Sequence, residues 1–160
     1  MLTSLQAEIP DTSAIQLRPL SAALVDRRAL FALYKLSLYE HIDQTFGWDE
    51  NFQQQRFSTS YRDDDFIAIT QGPLMLGYVA LKDEADEIHL SLLLVQPEHR
   101  NRQIGRQVME ALLSWAARSQ RSVALSCFLC NRAAMRFYER LGFGIVTKDE
   151  HFVTYRFPVS

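Results

Sequence analysis

Several features that mark whole classes of protein are scarce or missing in this sequence. The 160 residues include only two cysteines, too few for the disulfide framework of a small secreted domain. No run of about 18 apolar residues occurs, so the sequence predicts no transmembrane helix. The N-terminal stretch Met1–Glu8 lacks the basic and apolar regions of a signal peptide. We therefore expect a cytoplasmic protein without a membrane partner.

A large excess of charge of one sign is also missing. The formal net charge is −2, and basic residues are concentrated only between residues 99 and 106. A nucleic-acid partner would need a broader basic face, so we expect none. With 48% hydrophobic residues in 160, the chain can bury one sizeable core. We expect a single domain over residues 14–160, preceded by a loose polar segment over residues 1–13.

The two cysteines, Cys127 and Cys130, have the spacing Cys-x-x-Cys. This spacing occurs in redox pairs and in half of many zinc sites. No second pair is present, and the four histidines are scattered along the chain. The pair also ends an apolar strand instead of opening a helix. Buried free thiols are therefore the favoured interpretation, and we expect no metal.

The apolar residues recur in patterns that predict strands and helices in a mixed order. Strands are predicted over residues 15–18, 66–70, 74–82, 88–95, 122–128, 144–147 and 152–158. Helices are predicted from Ser21 or Asp26 to Gln44 and over residues 49–57, 104–119 and 131–141. The strand Ile88–Val95 is almost continuously apolar, so both of its faces should be covered. The order indicates a mixed α/β (α+β) fold.

A strand, a tight polar turn and a helix follow one another over Val95–Arg106. The first N–H groups of the helix lack intrahelical acceptors and point into the turn. The positive end of the helix dipole lies behind them, which suits an anion such as a pyrophosphate. Arg100, Arg102 and Arg106 add positive charge to the same turn.

Two segments resemble signatures of the GNAT superfamily of N-acetyltransferases. Arg100–Gly105 is similar to the coenzyme A signature Arg/Gln-x-x-Gly-x-Gly/Ala, with Gln103 in place of the first glycine. Asn131–Phe143 is similar to the segment Asn-x-x-Ala-x-x-x-Tyr-x-x-x-Gly-Phe at each stated position. The resemblance implies a GNAT fold, with a mixed, mostly antiparallel, twisted sheet of six to seven strands and about four helices.

The resemblance also implies a site for acetyl-CoA as co-substrate. The backbone of Leu93, Leu94 and Val95 would meet the pantetheine arm like an added strand. The pyrophosphate would be held by the amides of Arg100, Asn101, Arg102, Gln103, Ile104, Gly105 and Arg106. Asn131 would reach the pantetheine or adenylate arm, and Arg102 or Arg106 the 3′-phosphate. Alternatively, these arginines form a solvated basic loop.

For catalysis, the resemblance implies direct acetyl transfer to a primary amine in a ternary complex. Tyr138 matches the family tyrosine and would act as general acid towards the coenzyme thiolate. The general base would be His89, on the central strand where some relatives place a glutamate or histidine, or, as second choice, the nearby Glu87. The alternatives are that Tyr138 only packs in the core and that His89 makes a structural hydrogen bond. No covalent nucleophile is required.

The acceptor would be a small-molecule or peptide amine. By resemblance, the two-helix region around residue 47 covers its site. Phe46 and Trp48 lie beside Asp43, Asp49 and Glu50 in the sequence, a combination that suits a cationic amine with an apolar body. The alternative is a loop anchored by two aromatic residues with solvated acids. A homodimer stays open, because homodimers are frequent in the family.

A rival hypothesis assigns the chain to non-catalytic domains that bind acyl-CoA or regulate other proteins. The presence of Tyr138 argues against this rival, and the substitution by Gln103 in the signature argues weakly for it. Turnover, as opposed to binding without turnover, separates the two hypotheses.

Overall fold

The computed structural model describes residues 2–10, 13–20 and 25–159. A seven-stranded sheet has the order β1-β2-β3-β4-β5-β7-β6, and only β4 and β5 run parallel. The expected mixed, mostly antiparallel sheet is therefore confirmed. The strands are β1 (Gln16–Pro19), β2 (Phe66–Gln71), β3 (Leu74–Asp83), β4 (Glu87–Val95), β5 (Ser122–Phe128), β6 (Gly144–Lys148) and β7 (Phe152–Phe157).

Five α-helices accompany the sheet over the described ranges, one more than expected. They are α1 (Leu2–Ala7), α2 (Arg27–Phe46), α3 (Glu50–Ser60), α4 (Ile104–Arg118) and α5 (Arg132–Leu141). Short 3-10 turns occupy Asp63–Asp65 and Pro97–His99. None of the helices in the described part of the chain is long and apolar enough to cross a membrane.

The additional helix is α1, and it corrects the expectation of a loose segment over residues 1–13. Leu5 and Ile9, four residues apart, are buried in the same core cluster as α4. Glu8 also forms an ion pair with Arg118 of α4 at 2.9 Å. Met1, Asp11 and Thr12 lie outside the described residues, so the prediction is wrong for the helical part of the segment.

The sequence predicts that α2 begins either at Ser21 or at Asp26. The Asp26 side chain accepts hydrogen bonds from the backbone N–H groups of Arg28 at 3.1 Å and Ala29 at 3.2 Å. Such capping satisfies N–H groups that have no intrahelical acceptor. The helix therefore begins after Asp26, and Ser21 lies outside the described residues. The last helical residue is Phe46, and Gly47 follows it with a φ of 83°, a backbone conformation that favours glycine.

The sheet separates two apolar cores, and β4 contributes to both. Ile88 and Leu90 belong to the core under α4 and α5, whereas Leu92 and Leu94 belong to the core under α2 and α3. A β-bulge causes this change of face within β4. Ala80 of β3 pairs with Leu92, whereas Leu81, the next residue of β3, pairs with Leu90. The residue between them is unpaired, which reverses the alternation of faces. Both faces of β4 are covered, as its apolar sequence predicts.

The parallel strands β4 and β5 pair with each other over only three pairs of residues. The last of these pairs joins His89 to Ala124. Beyond it, the remainders of the two strands do not pair with each other. On its other edge, β4 lies very close to β3, since a Cβ atom at Gly77 would fall 2.1 Å from the Leu94 carbonyl oxygen. Glycine is therefore required at position 77.

Candidate active site

A cleft of about 1260 Å³ opens where β4 and β5 separate. Its floor consists of the unpaired halves of the two strands, and its walls come from α2 and α3 on one side and from the start of α4 and from α5 on the other. Clefts at such a break in a sheet commonly bind ligands, because backbone groups there have no strand partner. This cleft is the candidate active site.

The last three residues of β4 line the cleft along its floor. Leu93, Leu94 and Val95 pair with β3 on one edge, but β5 does not pair with them on the other. The backbone groups on that second edge are therefore free to bind an extended ligand in the manner of an added strand. All three residues thus line the cleft along an edge of β4 that β5 leaves unpaired.

The turn before α4 leaves the first N–H groups of the helix open. Gln103 stands at the N-cap and makes no capping hydrogen bond with its side chain. Its φ is 60°, in the left-handed region, which costs an L-residue roughly 1–2 kcal/mol. This conformation explains physically why the signature has glycine at this position. Asn101 has a similar φ of 63°, which asparagine tolerates better than most residues.

The side chains of the predicted phosphate loop do not all reach the cleft. Arg100 and Gly105 line it. Ile104 is buried in the core beneath α4, and the side chains of Asn101 and Arg102 are exposed. Most residues of this loop can therefore contact an anion in the cleft only through their backbone groups.

The arginines of the loop differ in their partners. The Arg100 guanidinium donates to the Val95 carbonyl oxygen at 3.0 Å and to Ser37 Oγ at 3.2 Å, so it ties β4 to α2. Arg106 is paired with Glu110 at 2.9 Å, one turn further along α4. Arg102 forms no ion pair with any residue that the structure describes. Of the two candidates for a 3′-phosphate, Arg102 is the one whose charge is available.

Helix α5 carries the second predicted segment to the cleft. Asn131 caps the helix, accepting a hydrogen bond from the Ala134 N–H at 3.2 Å, and also lines the cleft. Tyr138 is buried against Phe143 with a ring-centroid distance of 5.6 Å, and it borders the cleft. Burial raises the pKa of its phenol well above the ordinary value, with a further contribution from Cys127. Tyr138 therefore carries its proton at neutral pH.

The two candidate bases occupy different surroundings. His89 lines the cleft at the point where the strands separate. Glu87 does not line the cleft; its carboxylate is 3.2 Å from the Arg156 guanidinium and accepts from Ser122 Oγ at 3.3 Å. Glu87 as second-choice base is therefore not supported, because an ion pair holds it at the closed end of the strand pair.

A sequence model of the acetyltransferase (GNAT) family matches residues 28–143, more than half of the chain. The protein belongs to this family. No curated protein gives a significant sequence match. The sequence resemblance is thus confirmed, and the chain is an acyltransferase by family.

Solved acetyltransferases share the fold of this acetyltransferase. The PaiA N-acetyltransferase of Thermoplasma acidophilum, solved with coenzyme A, has a TM-score of 0.69 at 18% identity, over 90% of this chain and 98% of its own. An acetyltransferase of Thermus thermophilus has a TM-score of 0.69 at 22% identity, with 92% and 98% covered. The ribosomal-protein-S18-alanine N-acetyltransferase of Escherichia coli gives 0.64 at 22% identity, with 91% and 94% covered. At these identities the likeness shows the fold alone.

The structure separates the two aromatic residues predicted for the acceptor site of this acetyltransferase. Phe46 lines the cleft and is 58% exposed. Trp48 does not line it; its ring packs on Tyr39 at a centroid distance of 5.0 Å, and its Nε1–H donates to Glu50 at 3.1 Å. Trp48 as a residue of the acceptor site is therefore not supported, since its ring packs against the core under α2 and α3 and beside Phe31.

The acidic residues around Trp48 have structural partners. Asp43 accepts from the Trp48 N–H at 2.9 Å, and Asp49 from the Phe52 N–H at 2.9 Å. Hydrogen bonds from Gln54, Lys35 and Trp48 lower the pKa of Glu50 to about 2. These contacts favour the alternative of an anchored loop over a site for a cationic amine.

The walls of the cleft hold polar residues that the sequence analysis did not assign to the site. Tyr34 of α2 donates through its hydroxyl to Gln53 Oε1 of α3 at 2.9 Å, and both residues line the cleft. Arg56 lies one turn beyond Gln53 and lines it as well. Because Gln53 and Arg56 are three residues apart, a predicted helix would place them on one face of α3. The sequence gives no sign that this face borders the same cleft as β4.

The two cysteines are free thiols. Cys127 lines the cleft, and burial raises its pKa to about 11, with further contributions from Glu139 and Cys130. Cys130 lies outside the lining, 3.7 Å from His41 Nδ1. Within the described ranges, no cluster of three or more His, Cys, Asp or Glu residues is arranged to hold a metal ion. A thiol with a raised pKa is a poor nucleophile at neutral pH.

Proposed function

We propose that this acetyltransferase moves an acetyl group from acetyl-CoA directly to a primary amine, with Tyr138 as general acid. The observation that carries the proposal is the position of Tyr138. Its ring borders the same cleft that exposes the unpaired edge of β4 and adjoins the open N-terminus of α4. A direct transfer in a ternary complex needs these elements side by side.

The residues of the cleft suit coenzyme A. The free backbone edge of Leu93–Val95 matches an arm that contains amide groups. The N–H groups at the start of α4 suit a pyrophosphate, because no side chain of the N-cap residue occupies them. Arg102, which has no ion pair within the described residues, would meet the 3′-phosphate. Acetyl-CoA supplies the acetyl group in thioester-activated form.

Positioning is the main contribution we assign to the protein. An alkylamine has a pKa of about 10, so its deprotonation at pH 7 costs roughly 4 kcal/mol. Alignment of two reactants in one site can offset on the order of 7–11 kcal/mol of a barrier. The cleft between the two walls provides this alignment without a covalent nucleophile.

Proton transfer requires a donor at the departing sulfur and an acceptor at the amine. Tyr138 Oη is the donor, because burial keeps the phenol protonated. Desolvation also raises the pKa of a thiol, so exclusion of water from the departing sulfur would favour transfer of the proton to it. His89 is the acceptor we propose, directly or through water, because it lines the cleft where β4 and β5 separate and a neutral imidazole nitrogen can accept a proton.

One observation favours the rival hypothesis of a non-catalytic acyl-CoA-binding domain. Gln103 brings a side chain and a left-handed φ to the position of a signature glycine. The experiment that decides is titration calorimetry with acetyl-CoA and with free CoA, followed by thiol release from acetyl-CoA over a library of amines. Micromolar binding with turnover supports the enzyme. Binding with no turnover of any amine supports the rival, and no binding contradicts both.

The cytoplasmic location, the absence of a nucleic-acid partner and the formation of a homodimer stay predictions. The acceptor class of small-molecule or peptide amines is also a prediction, and the walls of the cleft allow it to be narrowed.

A further inference from the structure

We propose that the acceptor amine carries a carboxylate, which binds the guanidinium of Arg56 on the α3 wall of the cleft. The inference rests on the proposed acetyl transfer and names the substrate class of the same site. It reverses the cationic acceptor that the sequence favoured.

Arg56 belongs to a row of residues on α3 that lines the cleft. Phe52, Arg56 and Ser60 follow one another at intervals of four and therefore share one face of the helix. The facing row on α2 includes Tyr34 and His41. Arg56 thus lies between the aromatic rim at Phe52 and the polar end of the cleft at Ser60.

The charge of Arg56 reaches into this part of the cleft. Burial raises the pKa of Tyr34 and raises that of Tyr61 to about 12, and the Arg56 guanidinium opposes the rise at both. The guanidinium is therefore within electrostatic reach of both rings. The two phenols remain protonated at neutral pH, and the Tyr34 hydroxyl already donates its proton to Gln53.

The other cations that line the cleft are already engaged. Lys82 forms an ion pair with Asp65, whose side chain is only 12% exposed. Arg100 donates to Val95 and Ser37. Arg56 forms no ion pair with any residue that the structure describes.

The cleft offers almost no negative charge to compensate Arg56. The only carboxylate among the described residues that line it is Asp49, and this side chain caps α3 by accepting from the Phe52 N–H. Arginine binds carboxylates through short, charge-assisted and often bidentate hydrogen bonds. A carboxylate on the acceptor would therefore find a partner here, whereas a polycation would meet like charge.

Gln53 provides a second, independent observation. Its side chain is buried, with 6% of the residue exposed, although it is polar. The amide oxygen accepts from Tyr34, but the amide nitrogen has no hydrogen-bond partner among the described residues. This nitrogen is not among the fully buried polar atoms that lack a partner, so it is accessible from the cleft that Gln53 lines. A bound carboxylate would accept from this nitrogen as well as from Arg56.

The arrangement also orients the acceptor. A carboxylate at Arg56, on the α3 wall, leaves the amine of the same molecule free to approach β4, where His89 lines the cleft. The exposed rings of Phe46 and Phe52 at the rim offer a surface for an apolar side chain. An amine that carries both a carboxylate and an apolar side chain, such as an amino acid, combines these features.

The test compares carboxylates with matched amides. The twenty common L-amino acids and their carboxamides are offered with acetyl-CoA, and thiol release gives kcat/KM for each. We expect the best carboxylate to exceed its amide by about tenfold or more, since loss of a charge-assisted partner weakens binding by roughly that factor. Equal values for the members of each pair would overturn the inference.

The matched variants are Arg56→Gln and Arg28→Gln. Arg28 is an exposed arginine of α2 that does not line the cleft, so its variant controls for loss of one positive charge. Arg56→Gln should remove the preference by raising the KM of the carboxylate about tenfold more than that of the amide, whereas Arg28→Gln should leave both KM values unchanged. An equal loss for both members, or an equal effect of Arg28→Gln, would overturn the inference.

Failure of the proposed acetyl transfer can be distinguished from failure of the inference about the carboxylate. If no amine is acetylated, calorimetry with the CoA complex measures binding of the same pairs without turnover. Tighter binding of the carboxylate that Arg56→Gln abolishes would support the inference even then. Absence of binding in every pair would overturn it together with the proposed function, whereas turnover without discrimination would overturn the inference alone.

Discussion

His89 of β4 and Ala124 of β5 form the last pair before the two parallel strands separate. His89 also pairs with Lys82 of β3 on its other side. Its backbone is therefore held between two strands, while its imidazole borders the cleft. A side chain on such a rigid element is well suited to act on a reactant at the point of separation.

This position leads to a prediction for His89→Gln. Loss of the base should lower kcat by about 10²-fold or more and should remove the ascending limb of the pH–rate profile. Glu87→Gln is the matched control from the same strand. It should leave the limb in place, because Glu87 is bound to Arg156 and does not line the cleft. The opposite result, with the limb lost only in Glu87→Gln, would contradict the assignment.

Gln103 yields a prediction that separates stability from binding. Gln103→Gly removes the left-handed strain of an L-residue and should raise the free energy of unfolding by roughly 0.5–1 kcal/mol. It should also tighten CoA binding, because backbone can then approach the phosphates more closely. Urea denaturation and calorimetry measure the two effects.

Gln120 is the control for this substitution, since its φ of 56° is also left-handed. It follows the C-terminal end of α4 and does not line the cleft. Gln120→Gly should give a similar gain in stability and leave CoA affinity unchanged. An equal gain in affinity from both substitutions would show that position 103 has no special relation to the ligand.

Gly77→Ala should separate β3 from β4 at the floor of the cleft. The added Cβ would lie 2.1 Å from the Leu94 carbonyl oxygen, so backbone must move. We expect a loss of about 1–3 kcal/mol in the free energy of unfolding and weaker CoA binding. Gly144→Ala, where nothing lies within 4 Å of the new Cβ, should change stability by less than about 0.5 kcal/mol. Equal effects of Gly77→Ala and Gly144→Ala on stability would contradict the close approach of β3 to β4 at Gly77.

Much of the fold could be predicted because its signals are local. The apolar run Ile88–Val95 reports burial on both faces, and Asn131 and Gly142 mark the ends of α5 as cap residues do. The short helix α1 has no comparable signal. Its stability depends on the packing of Leu5 and Ile9 against the core, and short helices depend on tertiary contacts.

The site was predictable only where a contiguous segment carries it. The coenzyme loop and the tyrosine segment are continuous in sequence, and the structure places parts of both at the cleft. The acceptor side is assembled from α2, α3 and β4, so no local pattern could show that Arg56 and His89 border one cavity. Trp48 does not line the cleft although Phe46 does, because proximity in the sequence does not fix the direction of a side chain.

The raised pKa of Tyr138 has a consequence for the pH dependence of the reaction. Burial destabilises the phenolate, so the phenol stays protonated above its ordinary pKa of about 10. The rate at saturating substrates should therefore not fall between neutral pH and about pH 10 through ionisation of this residue. A descending limb in that range that Tyr138→Phe abolishes would contradict the assignment.

The most direct test of the account is the kcat of Tyr138→Phe for an amine that the wild-type protein acetylates. The phenyl ring preserves the packing on Phe143 and Phe137 and removes only the proton donor. We expect a fall in kcat of about 10²-fold or more, with the affinity for acetyl-CoA and the thermal stability unchanged. A loss below about threefold in a folded variant would contradict general acid catalysis by Tyr138.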